Sequence, residues 1–183
     1  MNYSFISGEA AQASGELLVI PVFEGELGDK SPTALARADS VFEGRLATAA
    51  AQEGFKGKAE QSFTLHTLGR LEAERVLLLG LGTRAKYTPE VLRQAAGRAA
   101  KTAQRLKVRT AVFALPSVDD ASAALRATVE GLELGAYRFD RYKSSSKEEK
   151  NAPKLSTVRL ALAEGVEKTK ENEQLVAQAQ RLA

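Results

Sequence analysis

Apolar residues fall into short unbroken runs that alternate along the chain with longer amphipathic stretches. Gln61–Thr67 alternates polar and apolar residues, which predicts a half-exposed strand. Met1–Ser7 is predicted to form a further strand at an edge of the sheet. Pro21 lies inside an apolar run and predicts an edge position or a bulge there. Buried strands are predicted where short apolar runs are rich in branched residues, at Glu16–Phe23, Arg75–Leu81, Thr110–Leu115 and Ser156–Leu162.

Helices are predicted where apolar residues recur at helical spacing behind a capping signal. Ser31–Pro32 begins a helix that runs to about Gln52, with serine as N-cap and proline at the first helical position, and Gly54 ends it. Thr88–Pro89 begins a second helix in the same way. Ser117-x-x-Asp120 is similar to a capping box and begins a third helix. A last helix is predicted over residues 167–183.

The predicted order of elements indicates the fold class. Two strands precede a helix, two more strands precede a second helix, and single strands and helices alternate from there. Helices that alternate with strands from residue 75 onward connect parallel neighbours and cover both faces of the sheet. The chain is therefore predicted to form an α/β fold, a three-layer α/β/α sandwich around a mixed, mostly parallel sheet. Residues 1–165 are assigned to this domain, and 166–183 to a linking helix without a stop signal.

Composition narrows the class of protein. With 183 residues, of which 44% are hydrophobic and 27% charged, the chain can form one globular domain with a buried core. The absence of cysteine excludes disulfides, thiolate metal ligands and cysteine nucleophiles. Residues 1–8 do not resemble a signal peptide, and no apolar run approaches the roughly 18–20 residues of a membrane span. The net charge of +3 permits contact with nucleic acid without requiring it.

Few residues offer catalytic chemistry. Gly80 and Gly82 follow a predicted buried strand and precede a helix, so they are a candidate phosphate or nucleotide loop. A tight turn is the simpler interpretation, because the third glycine of the dinucleotide fingerprint is missing. His66 is the only histidine, and a zinc site would need further His or Cys ligands. Asp119 and Asp120 are adjacent near a helix start, where the helix dipole favours acidic residues.

A basic stripe follows one face of the second predicted helix. Arg98, Lys101 and Arg105 lie opposite the face that carries the apolar residues of this helix. The stripe is a candidate contact surface for the phosphates of DNA. A solvated helix face explains the same pattern, and no aromatic residues are interleaved for base stacking.

Three segments depart from a generic α/β pattern. They are Arg75-Val-Leu-Leu-Leu-Gly-Leu-Gly82, Thr88-Pro-Glu-Val-Leu-Arg-Gln-Ala-Ala-Gly97 and Glu130-Gly-Leu-Glu-Leu-Gly-Ala-Tyr-Arg-Phe-Asp-Arg-Tyr-Lys143. Together they resemble the N-terminal domain of the leucyl aminopeptidase (cytosol aminopeptidase) family. The third segment is the distinctive one, and its aromatic residues, Tyr137 among them, are expected to pack around a helix end.

The resemblance implies a macro-domain-like fold and a place in a metal-dependent hydrolase. Members of this family are cytoplasmic, hexameric metalloexopeptidases that remove N-terminal residues, often leucine, from peptides. They use two divalent metals, zinc or manganese, in a C-terminal catalytic domain. No position of this chain matches the catalytic motifs, so the resemblance assigns no catalytic residue, cofactor-binding residue or metal ligand here. The implied partners are the chain's own catalytic domain, further copies of itself and, as in some bacterial members, DNA; no membrane partner is expected.

Three functions stay open on this basis. The leading hypothesis is the non-catalytic N-terminal domain of a leucyl aminopeptidase, serving assembly and scaffolding and inactive by itself. The alternative is a stand-alone macro-like module that binds a nucleotide or ADP-ribose near Gly80–Gly82 and Pro116–Ser117, since ligands of open α/β sheets bind at the carboxyl ends of strands. The third is a domain that contacts DNA through the basic stripe.

Overall fold

Six strands and five helices lie in the described parts of the computed structural model, which are residues 1–6, 9–28, 30–137, 154–163 and 169–183. The strands are β1 (Asn2–Ile6), β2 (Gly15–Val22), β3 (Ser62–His66), β4 (Ala73–Gly80), β5 (Thr110–Ala114) and β6 (Thr157–Ala161). The helices are α1 (Thr33–Val41), α2 (Arg45–Gln52), α3 (Pro89–Arg105), α4 (Ala121–Ala136) and α5 (Lys170–Leu182). Single 3-10 turns lie at Ala10–Gln12 and Arg84–Lys86.

The strands form one sheet in the order β1-β6-β5-β2-β4-β3. All neighbours are parallel except β3, which pairs antiparallel with β4 at one edge, while β1 lies at the opposite edge as predicted. Successive residues of a strand point to opposite faces. Leu17 and Val19 therefore meet α3, α4 and α5 on one face, and Leu18 and Ile20 meet α1 and α2 on the other. The predicted α/β/α sandwich is confirmed.

Pro21 does not lie at an edge. It belongs to β2, which lies between β5 and β4 and keeps an unbroken register with β4 up to Val22, so the predicted edge position or bulge is wrong. The carbonyl of Val22 accepts a hydrogen bond from the N–H of Leu81 at 3.0 Å, which turns the backbone of Pro21 toward β5. The register with β5 ends at Val19, so the ladder needs no N–H at Pro21.

The helix predicted over 31–52 is broken into α1 and α2. Glu43 and Gly44 have φ angles of 55° and 79°, in the left-handed region, and interrupt the helix between them. Asp39 of α1 then reaches across the break, where its Oδ1 accepts a hydrogen bond from the N–H of Ala47 at 3.0 Å. This side chain satisfies a free donor of the first turn of α2, so the break leaves that donor paired.

Two predicted N-caps are displaced. α1 has Pro32 at its cap position, so Ser31 does not cap it. α4 is capped by Asp120 itself, whose Oδ1 accepts a hydrogen bond from the N–H of Ala123 at 2.8 Å. The capping box predicted to start at Ser117 is therefore wrong, because the aspartate stands next to the first helical turn and is itself a strong cap.

The backbones of α3 and α4 approach each other closely. A Cβ atom on Gly131 would lie 2.1 Å from the carbonyl oxygen of Arg93, and one on Gly135 would lie 2.5 Å from the carbonyl oxygen of Gly97. Ala96 of α3 belongs to the same contact, since a Cβ atom on Gly131 would lie 2.9 Å from its Cβ. The unusual glycines of the segment at 130–143 thus serve a helix–helix contact. Tyr137, expected to pack, is 71% exposed, so the expectation is wrong for this residue, and the expected packing of Phe139 and Tyr142 lies outside the described residues.

α5 packs beside α4 and reaches the start of the chain. Val176 and Ala179 belong to the same core cluster as the apolar residues of α4. Gln180 Nε2 donates a hydrogen bond to the carbonyl of Met1 at 2.7 Å and another to Glu133 Oε1 at 3.3 Å. α5 is therefore held on the sandwich by both apolar and polar contacts. The division at residue 165 and a linking role of this helix stay predictions.

Candidate ligand cleft

A cleft of about 450 Å³ opens at the carboxyl ends of β2, β5 and β6. Parallel strands bring these ends to one edge of the sheet, where open α/β folds commonly bind ligands. Its apolar walls include Ile20, Pro21, Phe23, Leu115, Pro116 and Leu162. Polar groups are fewer and include Glu26, Lys30, Ser31, Arg84 and Ser117. The cleft thus combines an apolar interior with a small number of charged and hydroxyl groups.

Arg84 joins three loops at the mouth of the cleft. Its Nε donates to Glu26 Oε1 at 2.6 Å, and its Nη1 donates to the carbonyl of Ser117 at 3.0 Å. The guanidinium carbon lies 4.3 Å from the centre of the Phe23 ring, within the range of a cation–π contact. Glu26 is fixed in turn because its Oε2 accepts a hydrogen bond from the N–H of Phe23 at 3.3 Å. Arg84 therefore ties the loop after β4 to those after β2 and β5.

The opposite side of the cleft is formed by the start of α1. Ser31 Oγ is buried there and has no hydrogen-bond partner within the described structure. Lys30 is exposed and takes part in none of the ion pairs found among the described residues. Arg37 is paired with Glu9. This wall thus offers the ammonium group of Lys30 to a ligand, while the Ser31 hydroxyl is buried and Arg37 is already neutralised by a carboxylate.

Tyr87 packs against Phe23, which lines the cleft. The two rings meet edge to face, with centroids 5.4 Å apart and an angle of 77° between their planes. Burial raises the pKa of Tyr87, and the neighbouring carboxylate of Asp120 raises it further. The phenol therefore stays neutral near pH 7, and its Oη is buried without a hydrogen-bond partner in the described structure. Tyr87 therefore packs against Phe23 and is not among the lining residues described for the cleft.

Gly80 and Gly82 are not among the lining residues described for the cleft. A Cβ atom on Gly80 would lie 1.9 Å from the carbonyl oxygen of Lys58. Gly82 has a φ of 75°, and its N–H donates to the carbonyl of Gly57 at 2.8 Å. Gly80 allows the loop at 57–58 to lie against the end of β4, whereas Gly82 adopts a left-handed conformation that favours glycine. Their predicted role as a phosphate or nucleotide loop stays a prediction.

The basic stripe of α3 is not uniform. Lys101 and Arg105 are exposed, but Arg98 is half-buried and its Nη2 donates to the carbonyl of Gly80 at 3.1 Å. Burial lowers the pKa of Arg98, and the nearby carboxylate of Glu60 opposes this effect. Arg98 therefore holds α3 against the end of β4. Contact of Lys101 and Arg105 with DNA stays a prediction.

Within the described residues, no group of three or more His, Cys, Asp or Glu side chains is placed to hold a metal ion. His66 lies exposed on β3, on the same face as Thr64 as predicted, and is not among the lining residues described for the cleft. Among these same ranges, no helix has the length and apolarity needed to cross a bilayer.

Sequence reasoning located the cleft only in part. Pro116–Ser117 was placed near a ligand site and does line the cleft, whereas Glu26 and Arg84 were missed. They lie 58 positions apart and meet only through the strand order. The available signal was that each follows the carboxyl end of a buried strand, which is the position where ligand-binding loops are expected.

Comparison with known sequences finds one family profile over most of the chain. The profile described as "Cytosol aminopeptidase family, N-terminal domain" matches residues 19–146. A probable cytosol aminopeptidase of a Geobacter species is 38% identical over 152 residues, which cover 83% of this chain and 30% of the relative. The chain thus spans about a third or less of the length of this relative.

Comparison with solved structures agrees with the fold. A mutant of tomato leucine aminopeptidase superposes with a TM-score of 0.82 at 25% identity, over all of this chain and 36% of that chain. A Trypanosoma brucei macrodomain in complex with ADP-ribose superposes with a TM-score of 0.67 at 13% identity, over all of this chain and 69% of that chain. This second likeness confirms the macro-domain-like architecture alone. The profile match and the Geobacter relative together identify the chain as a member of the cytosol aminopeptidase family, in the part that forms the N-terminal domain.

Proposed function

We propose that the chain is the non-catalytic N-terminal domain of a metal-dependent leucyl aminopeptidase and serves its assembly and scaffolding. In this proposal the longer protein is a cytoplasmic hexamer that removes N-terminal residues, often leucine, from peptides. The observation that carries the proposal is the family match over residues 19–146, combined with the third or less of the relative's length that the chain spans. The catalytic domain lies, in this proposal, in the remaining length.

The described residues do not fit the two-metal centre that the family implies. A pair of divalent metals needs several carboxylate or imidazole ligands at one place. The carboxylates near the cleft have other partners: Glu26 binds Arg84, Glu9 binds Arg37, and Asp120 caps α4. We therefore place zinc or manganese, and every catalytic step, outside these residues, and assign the sandwich a structural role.

The test is hydrolysis of leucine p-nitroanilide by the purified 183-residue chain, with Mn²⁺ or Zn²⁺ added and with EDTA as control. The proposal predicts no hydrolysis above the rate of buffer and metal alone. Metal-dependent hydrolysis that copurifies with the chain and disappears with EDTA would overturn it. Circular dichroism of the same sample shows that the chain is folded, so that inactivity is not the result of unfolding.

A second candidate function is favoured by the cleft at the ends of β2, β5 and β6. Its volume of about 450 Å³ lies in the range of pockets that hold small molecules. The Trypanosoma brucei macrodomain that shares this architecture is in complex with ADP-ribose. The apolar walls suit a base or ribose, and the exposed ammonium group of Lys30 suits phosphate oxygens. We propose nucleotide or ADP-ribose binding in this cleft as the alternative role of the domain.

Calorimetry with ADP-ribose tests this alternative. Arg84→Ala should weaken binding, because it releases the three loops that shape the mouth of the cleft. Arg126→Ala is the matched control, since Arg126 forms an exposed pair with Glu130 on α4 and does not line the cleft. The absence of binding heat at millimolar ADP-ribose, or an equal loss in both variants, would contradict a nucleotide site here.

A further inference from the structure

The guanidinium group of Arg84 forms part of one wall of the cleft and covers an aromatic ring. Its central carbon lies 4.3 Å from the centre of the Phe23 ring, so one face of the flat group rests on that ring. Phe23 is 2% exposed, whereas the side chain of Arg84 is 54% exposed. The wall therefore presents Arg84, more than Phe23, to a ligand. The side of the guanidinium that is turned away from Phe23 is the outer face of Arg84.

The edge of this guanidinium is occupied by other partners. Its N–H groups lie in the plane of the group, and those at Nε and Nη1 donate to Glu26 Oε1 and to the carbonyl of Ser117. A phosphate that used these two donors would have to displace a carboxylate and a carbonyl. The same bonds cover neither face, because they lie in the plane. Arg84 is thus suited to bind a flat ring on its outer face, while its edge is already committed.

Neighbouring contacts fix the orientation of Arg84. The second oxygen of Glu26 accepts a hydrogen bond from the N–H of Phe23 at 3.3 Å, which holds the carboxylate in place. The Phe23 ring is held in turn by Tyr87, since the two rings pack edge to face. An arginine that is ordered before binding loses less side-chain entropy when a ligand stacks on it. The outer face of Arg84 is therefore preorganised for a flat ring.

The cationic group that is open to an anion lies on the opposite side of the cleft. Arg84 is paired with Glu26, and Arg37 is likewise paired with a carboxylate. Lys30 lines the cleft and takes part in none of the ion pairs found among the described residues. An anionic group in the cleft is therefore attracted toward Lys30. A ligand with both a flat ring and an anionic group satisfies both sides in one orientation, with its ring at Arg84 and its anion toward Lys30.

We propose that the aromatic ring of a ligand stacks on the outer face of Arg84, and that the anionic group of the same ligand lies toward Lys30. A nucleotide meets both requirements, because its flat base is joined through ribose to phosphate. The inference rests on the nucleotide-binding role proposed above, and adds the residue that contacts the base and the orientation of the ligand. Arg84 thus has a direct contact with the ligand in addition to joining the three loops at the mouth of the cleft.

Calorimetry with AMP and with ribose 5-phosphate tests the stacking, because the two ligands share sugar and phosphate and differ in the base. Arg84→Lys keeps a positive charge beside Glu26 but has no flat face, and should weaken AMP binding at least about fivefold while changing ribose 5-phosphate binding little. Lys30→Gln should weaken both ligands by the same factor, since both carry the phosphate. Arg126→Lys, on α4 and outside the cleft, is the matched control and should change neither. Circular dichroism shows that each variant is folded.

The Nε–H proton of Arg84 reports the stacking directly in NMR spectra. A base that lies over the guanidinium should move this proton upfield through its ring current, whereas ribose 5-phosphate should not. An equal loss of affinity for both ligands in Arg84→Lys, or an unshifted Nε–H proton at saturating AMP, would overturn the stacking and leave the nucleotide site in place. Binding of ADP-ribose without binding of AMP would do the same. If neither AMP nor ADP-ribose binds the unaltered chain, the nucleotide-binding role is itself wrong, and the inference is wrong with it.

Discussion

Gly131 offers the sharpest test of how the sandwich is held together. Its α-carbon faces α3 so closely that a Cβ atom would lie 2.1 Å from the carbonyl oxygen of Arg93 and 2.9 Å from the Cβ of Ala96. The first obstacle is backbone, which cannot turn aside as a side chain can. Gly131→Ala therefore requires this contact to open by about 1.4 Å, since favourable contacts between non-bonded atoms lie near 3.5 Å.

The expected cost of Gly131→Ala combines two opposing effects. Overpacking a tight contact destabilises by about 1–3 kcal/mol, and an obstacle made of backbone favours the upper end of this range. Alanine in place of glycine within a helix returns about 1 kcal/mol through helix propensity. We expect a net loss of about 2 kcal/mol. For a chain of this length the melting temperature should fall by about 4–8 °C.

Gly97→Ala is the matched control for this substitution. Gly97 lies on α3 at the same contact, but its Cβ atom would lie 3.4 Å from the carbonyl oxygen of Gly131, close to an ordinary distance. This variant gains helix propensity at little steric cost and should be at least as stable as the unaltered chain. Thermal and urea unfolding followed by circular dichroism measure both variants. A Gly131→Ala variant as stable as Gly97→Ala would refute the close-approach argument.

Three further predictions follow from single contacts. Asp120→Ala removes the acceptor for the N–H of Ala123 at the start of α4, and should lower the free energy of unfolding in urea by about 1 kcal/mol. An unchanged free energy of unfolding would mean that water binds this N–H equally well. Partial burial of Glu16 opposes its ionisation, but hydrogen bonds from the N–H groups of residues 109 and 110 outweigh this effect and lower the pKa of Glu16. Glu16→Gln should therefore destabilise the folded chain at pH 7. Because the pKa of Glu16 is lower in the folded chain than in the unfolded chain, its ionised carboxylate stabilises the fold fully above the ordinary glutamate pKa of about 4.3. This stabilisation is lost as the pH falls through the pKa of Glu16 in the folded chain. A difference in stability between the unaltered chain and Glu16→Gln that widens toward acid pH would contradict this. If the basic stripe contacts DNA, Lys101→Glu with Arg105→Glu should abolish duplex binding and its salt dependence. An unchanged affinity for duplex DNA would refute the prediction that this stripe binds DNA.

Much of the fold could be predicted because its signals are local. Buried strands such as Arg75–Leu81 show themselves as apolar runs, and the alternation of helices and strands implies a mostly parallel sheet. Errors arose where a distant residue decides the outcome. Asp39 supports a helix that begins beyond a left-handed break, and the strand order places Pro21 in a central strand at a point where one neighbour has ended. Neither effect can be read from the residues next to it.

The cleft was harder to predict than the fold. Pro116–Ser117 was placed at a strand end by position alone, and it lines the cleft. The Glu26–Arg84 pair forms only because the loops after β2 and β4 lie next to each other in the fold. The spacing of the two residues in the sequence does not predict this contact. Glycine permits close approach of the backbone to a ligand or to another backbone, so its presence alone does not separate the two. Gly80 lies against the backbone of the loop at 57–58, and the role of Gly80 and Gly82 as a ligand loop stays a prediction.

The central claim is that this chain is scaffold and that the metal chemistry lies elsewhere in a longer aminopeptidase. The most direct test compares the 183-residue chain with the longer aminopeptidase that we propose contains it, measuring bound Mn and Zn by mass spectrometry and hydrolysis of leucine p-nitroanilide on the same samples. We expect two metals per subunit and metal-dependent hydrolysis in the longer protein, and neither in the folded 183-residue chain. Tightly bound metal with hydrolysis in the short chain, or a metal-loaded longer protein that cleaves no N-terminal residue, would contradict the account.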